Sequence, residues 1–393
     1  MRAKIIRITT VPISLKLLLK GQHRFMKLKG FDVLGVSSSG HELDEVSIEE
    51  QISVHSLEMT RTISPFQDLR SLWNFYQLCK KEKPTIVHSH TPKAGIVGMM
   101  AARLAGVPIR LHTVAGLPLM EASGVKRKIL NFVEKLTYSS ATKVYPNSKG
   151  LYDFIRENNF APTHKLKVIA NGSSNGISTS HFSVNQLDPR QINSLKLQLG
   201  INFNDFVFVF VGRLVGDKGI NELVEAFKIL ETSWNTSGTI RLLLVGSLET
   251  ELDPLLDVTL KEIQSNPNII SVGFQKDVRP YFAISNALVF PSYREGFPNV
   301  VMQAGAMDLP AIVSDINGCN EIIVEGENGI IIPVKNAGAI QEAMTKFLRD
   351  KNYFSILKQN ARKMISERYE QQVVWDALLK EYKELIKDKG LEQ

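Results

Sequence analysis

Two cations and one carboxylate in the second half of the chain have the types and spacing from which chemistry can be read. The run Gly-Arg-Leu-Val-Gly-Asp-Lys-Gly at 212–219 follows the apolar stretch Phe206 to Val211 and holds Arg213 and Lys218 five residues apart. Fixed positive charges just past Gly212, at a strand's carboxyl end and on either side of Gly216, form a clamp for a diphosphate, and Arg213 can bind two oxygens at once. Further on, Val-Phe-Pro-Ser-Tyr-Arg-Glu-Gly-Phe-Pro at 289–298 ends a second short strand and leads into a helix at Asn299. Glu295 stands beside Gly296 there. The amides of Phe297 and Asn299, on either side of Pro298, are expected to be free at the helix's positive end, where phosphate binds. Taken alone, the same stretch also reads as an ordinary loop and amphipathic helix.

The elements that must position these groups alternate strand with helix. Apolar strands are expected at 4–10, 31–37, 85–90, 106–116, 205–211, 242–246, 269–274, 287–290 and 311–314, and helices at 14–29, 68–81, 221–230, 337–349 and 371–387. Alternation at this spacing predicts an α/β fold of doubly wound parallel sheets, in which ligands bind at the strands' carboxyl ends. At 393 residues two domains are expected. Their expected bounds are 1–185 and 200–365, with a polar linker over 178–200 and a last helix in 371–393.

Charge divides the chain unequally. Residues 1–200 carry 27 Lys and Arg against 14 Asp and Glu, a balance of +13, while the remainder stands at −6 within a total of +7. Residues 1–30 hold eight basic side chains and no acidic one, and Lys126, Arg127 and Lys128 form a second cluster. Such clusters suit nucleic acid or an anionic membrane surface. The segments 14–29 and 126–136 mix these charges with leucines and aromatics, as an interfacial helix does; a helix packed on a sheet with a solvated basic face fits the first equally well.

Other chemistries are disfavoured. His88 and His90 have no third ligand at metal spacing, so no metal site is expected. Cys79 and Cys319 are the only cysteines and make no paired motif, which fits a reducing compartment. No apolar run is long enough to span a bilayer and no leader core precedes the first strand, so a cytoplasmic location is expected. The basic clusters lack interleaved aromatics, against nucleic acid, and no Gly-Xxx-Gly-Xxx-Xxx-Gly follows the first strand, against a nicotinamide enzyme.

Glu295 followed at the eighth position by Gln303, Gly-Arg-Leu then Asp-Lys-Gly, and His-Ser-His-Thr-Pro-Lys-Ala-Gly at 88–95 together resemble the retaining GT-B glycosyltransferases of family 4, over nearly the whole chain. The resemblance implies two Rossmann-like domains facing across a cleft, the last helix crossing back to the first domain. It also implies a hexosyl or N-acetylhexosaminyl transfer from a nucleotide-diphosphate sugar, with UDP the expected nucleotide, without a metal or other cofactor. Arg213 and Lys218 would hold the diphosphate, Glu295 the sugar hydroxyls, Gln303 the ribose in place of the family's second glutamate, and Phe274 with Gln275 the base. His90, Lys93, His112 and Thr113 are candidates for the acceptor side. Ala115 stands where relatives carry a histidine in Thr-Xxx-His-Gly, and His112 reads as its replacement or as a satisfied structural residue, the latter favoured by strand alternation. The implied acceptor is a polyprenyl diphosphate-linked glycan at the inner face of the cell membrane, as in capsule, O-antigen or exopolysaccharide synthesis. A nucleotide-sugar epimerase of the same fold and a nucleic-acid-binding module are the alternatives.

Overall fold

Apolar runs such as Lys4–Ile8 and Phe206–Val211 need cover on both faces, a condition met by a parallel strand between two layers of helix. The computed structural model, which describes residues 2–60, 64–117, 119, 122–234, 238–251 and 253–391, uses both runs in this way. By internal contacts the chain divides into two units, Met1–Gly176 with Gln371–Gln393, and Ile177–Glu370. The α/β expectation holds in each.

In the first unit, β1 (Lys4–Ile8), β2 (Asp32–Ser37), β3 (Ser53–Ser56), β4 (Ile86–Ser89), β5 (Ile109–Val114) and β6 (Lys143–Pro146) form a parallel sheet in the order β3-β2-β1-β4-β5-β6. Between them run α1 (Pro12–Leu18), α2 (Gln22–Leu28), α3 (His41–Glu50), α4 (Pro65–Glu82), α5 (Pro92–Leu104) and α6 (Gly124–Ser140), with α7 (Lys149–Glu157) after β6. Ile6, Ile8 and Val87 bury against Phe75 of α4, Val97 of α5 and Tyr138 of α6. Ile5, Ile86 and Leu111 bury on the other side against Leu15, Phe25 and the carboxyl-terminal helix Gln371–Asp388.

The expected helix over 14–29 is in fact two. Gly21 takes φ +80, and a Cβ there would lie 2.6 Å from the Trp375 ring of the carboxyl-terminal helix. Glu50 restarts the chain as α2 by accepting from the amides of Gly21 (2.6 Å) and Arg24 (3.0 Å), a carboxylate at a positive helix end. Leu15, Leu19, Phe25 and Met26 go into the core, leaving Leu17 and Leu28 exposed, so this segment packs on the sheet. Arg7 is wholly buried, its guanidinium held by Gln22 Oε1 and by the hydroxyl of Tyr382, 3.0 Å away.

In the second unit, β7 (Phe206–Val211), β8 (Ile240–Val245), β9 (Ile269–Ser271), β10 (Ala287–Phe290), β11 (Ala311–Ser314) and β12 (Gly329–Ile332) form a parallel sheet in the order β12-β11-β10-β7-β8-β9. Read from the other end, this is the strand order of the first unit. The helices are α8 (Pro189–Gln198), α9 (Ile220–Ser233), α10 (Asp257–Ser265), α11 (Arg279–Ala283), α12 (Asn299–Ala306), α13 (Cys319–Ile322), α14 (Ala337–Arg349) and α15 (Lys351–Tyr369). The linker expected over 178–200 is displaced: the units divide after Gly176, and α8 belongs to the second. Asp188 caps α8, Pro189 opens it, and Ile192, Leu195 and Leu199 lay one face on the core, so a polar composition hid an amphipathic helix.

Tyr382 joins the carboxyl-terminal helix to β1 and β4, its hydroxyl lying 2.6 Å from His88 Nδ1 as well as bonding Arg7. Tyr382→Phe leaves a buried cation and a buried imidazole each one partner short. It is expected to cost about 1–3 kcal/mol in urea unfolding; an unchanged midpoint would contradict this role.

Candidate active site

In a parallel sheet the crevice opens where neighbouring strands send their helices to opposite faces, and in the second unit that point lies between β7 and β10. The loops leaving these two strands carry the residues singled out above. Gly219 sits at φ +70 at the start of α9, and a Cβ there would lie 2.2 Å from the carbonyl oxygen of Pro291, so only glycine lets the loops approach this closely. The amide of Tyr293 donates to the carbonyl of Asp217 (2.9 Å), and Arg294 pairs with the Asp217 carboxylate (2.7 Å). Lys218 is thereby carried to Glu295, its Nζ 2.5 Å from Oε1, with both side chains largely buried. Ser292, fully buried, donates to the same oxygen at 3.2 Å.

Beyond Glu295 the chain turns into α12, which has no side-chain cap; the Val301 amide donates to the Pro298 carbonyl at 3.2 Å, and the amides of Asn299 and Val300 precede the helix's own bonding. Asn317 Nδ2 holds this turn by donating to the carbonyls of Gly296 (2.6 Å) and Glu295 (3.2 Å). The Phe297 ring packs inward, 5.4 Å from that of Tyr369, which leaves its backbone as the part available to a ligand. Gln303 is half-buried on α12. Arg213, just after β7 and Gly212, is 48% exposed and pairs with Glu249 at 2.9 Å. An exposed pair of this kind contributes about 0–1 kcal/mol, so a phosphate can displace Glu249 at little cost. Phe274, past the end of β9, is 75% exposed, and the Gln275 side chain donates to the carbonyl of Val272. Burial drives the Cys319 thiol upward in pKa, and it serves as packing.

The first unit offers a second set of polar groups at its strands' carboxyl ends. His88 lies between Tyr382 and Thr113, with Nε2 2.8 Å from the Thr113 hydroxyl, and its ring stacks on His90 at 4.1 Å. Among the described residues, both ring nitrogens of His90 and the Asn147 Oδ1 are buried without a hydrogen-bond partner. They border a cavity of about 20 Å³ lined also by Thr113, Ser173 and Ser174, room for roughly one water molecule. Burial, then the Arg7 charge, holds His88 well below the ordinary imidazole range, and burial with neighbouring His88 and Arg7 does the same to His90.

The other two acceptor-side candidates lie elsewhere. His112 is on the opposite face of the sheet, bonded to Ser89 Oγ at 2.8 Å and packed against Gly95 of α5, so it does not replace the side chain missing at Ala115. Burial lowers its pKa to about 4. Lys93 ties α5 to α4 through Asp68 at 2.5 Å. Ser292, Asn317 and Glu249 escaped the sequence reading, because a serine, an asparagine and a glutamate in turns carry no spacing that marks them. Among the described residues, no group of three or more His, Cys, Asp or Glu could hold a metal ion.

Residues 191–364 match the family described as glycosyl transferases group 1, and residues 26–172 a glycosyl transferase 4-like domain. The capsular polysaccharide biosynthesis glycosyltransferase CapM of Staphylococcus aureus is 36% identical over 385 residues, 98% of each chain. The UDP-Gal:alpha-D-GlcNAc-diphosphoundecaprenol alpha-1,3-galactosyltransferase of Escherichia coli is 32% identical over 78% of this chain and 77% of its own. An Anabaena structure in complex with UDP superposes with a TM-score of 0.78 at 17% identity, covering 98% of this chain and 100% of that one.

The buried histidines make the first unit acid-sensitive. Above the ordinary value of 6.5 they are neutral whether folded or not. As pH falls below it they take up protons in the unfolded chain first, since burial holds His112 at about 4 and His23 at about 3 when folded. Stability present above pH 6.5 is therefore lost progressively toward about pH 4, by ~1.4 kcal/mol per pH unit for each such histidine. Melts between pH 7 and 4.5 check this, and a flat profile would contradict it.

Proposed function

The chain belongs to the group 1 glycosyl transferases, and on that premise we propose that it moves a sugar from a UDP-sugar to a hydroxyl of a polyprenyl diphosphate-linked glycan, with retention at the anomeric carbon. The observation that carries this reading is the Lys218–Glu295 pair at the strand-order reversal, with Arg213 on the same loop. Arg213, Lys218 and the first amides of α12 offer the positive charge that a departing diphosphate needs as its bond to the sugar breaks, a preorganised electrostatic contribution of the kind that dominates many such steps. Glu295, already accepting from Lys218 and Ser292, suits the reading of sugar hydroxyls better than attack on carbon. The acceptor oxygen bonds to the anomeric carbon on the face the diphosphate leaves, and the acceptor's proton passes to the departing phosphate oxygen. The charge is supplied by side chains, so the transfer is expected to run without a divalent metal.

The Escherichia coli relative's name specifies a UDP-linked donor and a diphosphoundecaprenol acceptor, and that of the Staphylococcus aureus relative places it in capsule synthesis. These names support the donor and acceptor proposed here, and with them a peripheral location on the inner face of the cell membrane. Among the described residues no helix is long and apolar enough to cross a membrane. The acceptor side is assigned to the carboxyl edge of the first unit's sheet, where His90 and Thr113 line the small cavity.

Lys218→Ala and Glu295→Ala are each expected to lower kcat by about 10²–10³-fold in protein that circular dichroism shows still folded at the assay temperature, though less stable because each leaves a buried charge unpaired; wild-type turnover in either would contradict the assignment. Transfer is expected to continue in excess EDTA, and loss restored by a divalent ion would overturn the metal-free reading. Donor incubated alone should stay unaltered, whereas a changed sugar would indicate an epimerase.

A further inference from the structure

Helix α6 packs on the core through Tyr138 and Leu130 and carries a further apolar stripe on its outward face. Its buried positions are Glu134, Thr137, Tyr138 and Ser140, while Val125, Ile129 and Phe132 point outward, Phe132 at 66% exposure. The spacing of these three puts them on one stripe, the apolar face that a helix normally turns to the core. Helix α4 does something related. It buries Phe75, Leu78 and Cys79 and presents a second apolar stripe, Phe66, Leu69 and Trp73, to the outside, with Phe66 91% exposed.

The two stripes belong to one surface. Both helices pack against α5 on the same face of the first unit's sheet. The helices run back against parallel strands, so their first turns lie at the strands' carboxyl edge. Each stripe falls within the first nine residues of its helix. The Lys93–Asp68 pair joins α5 to α4 at that end. This is also the edge that carries His90 and Thr113.

The charges around the stripes select the occupant. Arg70, Lys126, Lys128 and Lys135 are exposed beside the apolar residues. The nearby acids are already committed, Asp68 to Lys93 and Glu134 to the interior. A basic rim around an apolar centre complements an anionic lipid surface, the side chains entering the headgroup boundary while the cations meet phosphate. A second copy of the chain would set one basic rim against another. We propose that the first unit docks on an anionic bilayer through α4 and α6, with α1 and α2 excluded from the contact. This rests on the lipid-linked acceptor proposed above for the choice of a bilayer, and it would bring the acceptor-side edge to the membrane.

The test uses the full chain and sedimentation with phosphatidylcholine vesicles, with and without phosphatidylglycerol, at low and high salt. The wild type should sediment with the anionic vesicles at low salt and be released at high salt. Ile129→Ser with Phe132→Ser, and separately Phe66→Ser with Trp73→Ser, should each reduce partitioning about 10-fold or more with melting unchanged. Leu17→Ser with Leu28→Ser should bind as the wild type does. Wild-type binding by both stripe variants, indifference to phosphatidylglycerol, or a lipid-free dimer lost in the stripe variants would overturn the proposal. Transfer to a water-soluble, short-prenyl acceptor separates the two readings. Transfer without vesicle binding removes the docking surface alone. Stripe-dependent vesicle binding without transfer keeps the surface and removes the proposed reaction.

Discussion

A parallel sheet whose strand order reverses must leave a crevice at the reversal, because the two central strands send their helices to opposite faces. That constraint governs the second unit. The loops after β7 and β10 flank the opening, and the near contact of Gly219 with Pro291 fixes their separation. From it follow the Lys218–Glu295 pair, the buried Ser292 behind the carboxylate and the Asn317 brace on the turn. The same strand order in the first unit places His88 and His90 at its own reversal, between β1 and β4.

The two cations are held differently, and the difference suits different tasks. Lys218 is 15% exposed and locked to a carboxylate, so its position is set before any ligand arrives. Arg213 is half in solvent on a weak surface pair and can exchange Glu249 for phosphate oxygens. One group is preorganised and the other is free to adapt, a division that suits the diphosphate grip proposed for them.

Much of this was legible in the residues. The unbroken apolar run Phe206–Val211 could only be a strand buried on both faces, and the cations after it had to lie at its carboxyl end. Other features depend on contacts that local pattern does not encode. The break at Gly21 comes from Trp375, a residue far away in sequence, and from the capping carboxylate of Glu50. β3 is exposed at three of its four residues and has almost no apolar signature, and neither it nor the preceding α3 stood out. The stretch 178–200 reads as a linker because α8 lays only a narrow stripe on the core. The outward stripe of α6 is invisible to periodicity, since a hydrophobic stripe gives a direction around the helix and says nothing about which side the sheet is on.

We propose that Arg213 and Lys218 grip a pyrophosphate while Glu295 reads the attached sugar. A crystal of the full chain soaked with a UDP-sugar tests it most directly. Phosphate oxygens are expected within hydrogen-bond distance of Arg213, Lys218 and the first amides of α12, with Glu249 released and a sugar hydroxyl on Glu295. Nucleotide bound at another place, with Arg213 still on Glu249 and nothing against Lys218, would contradict it.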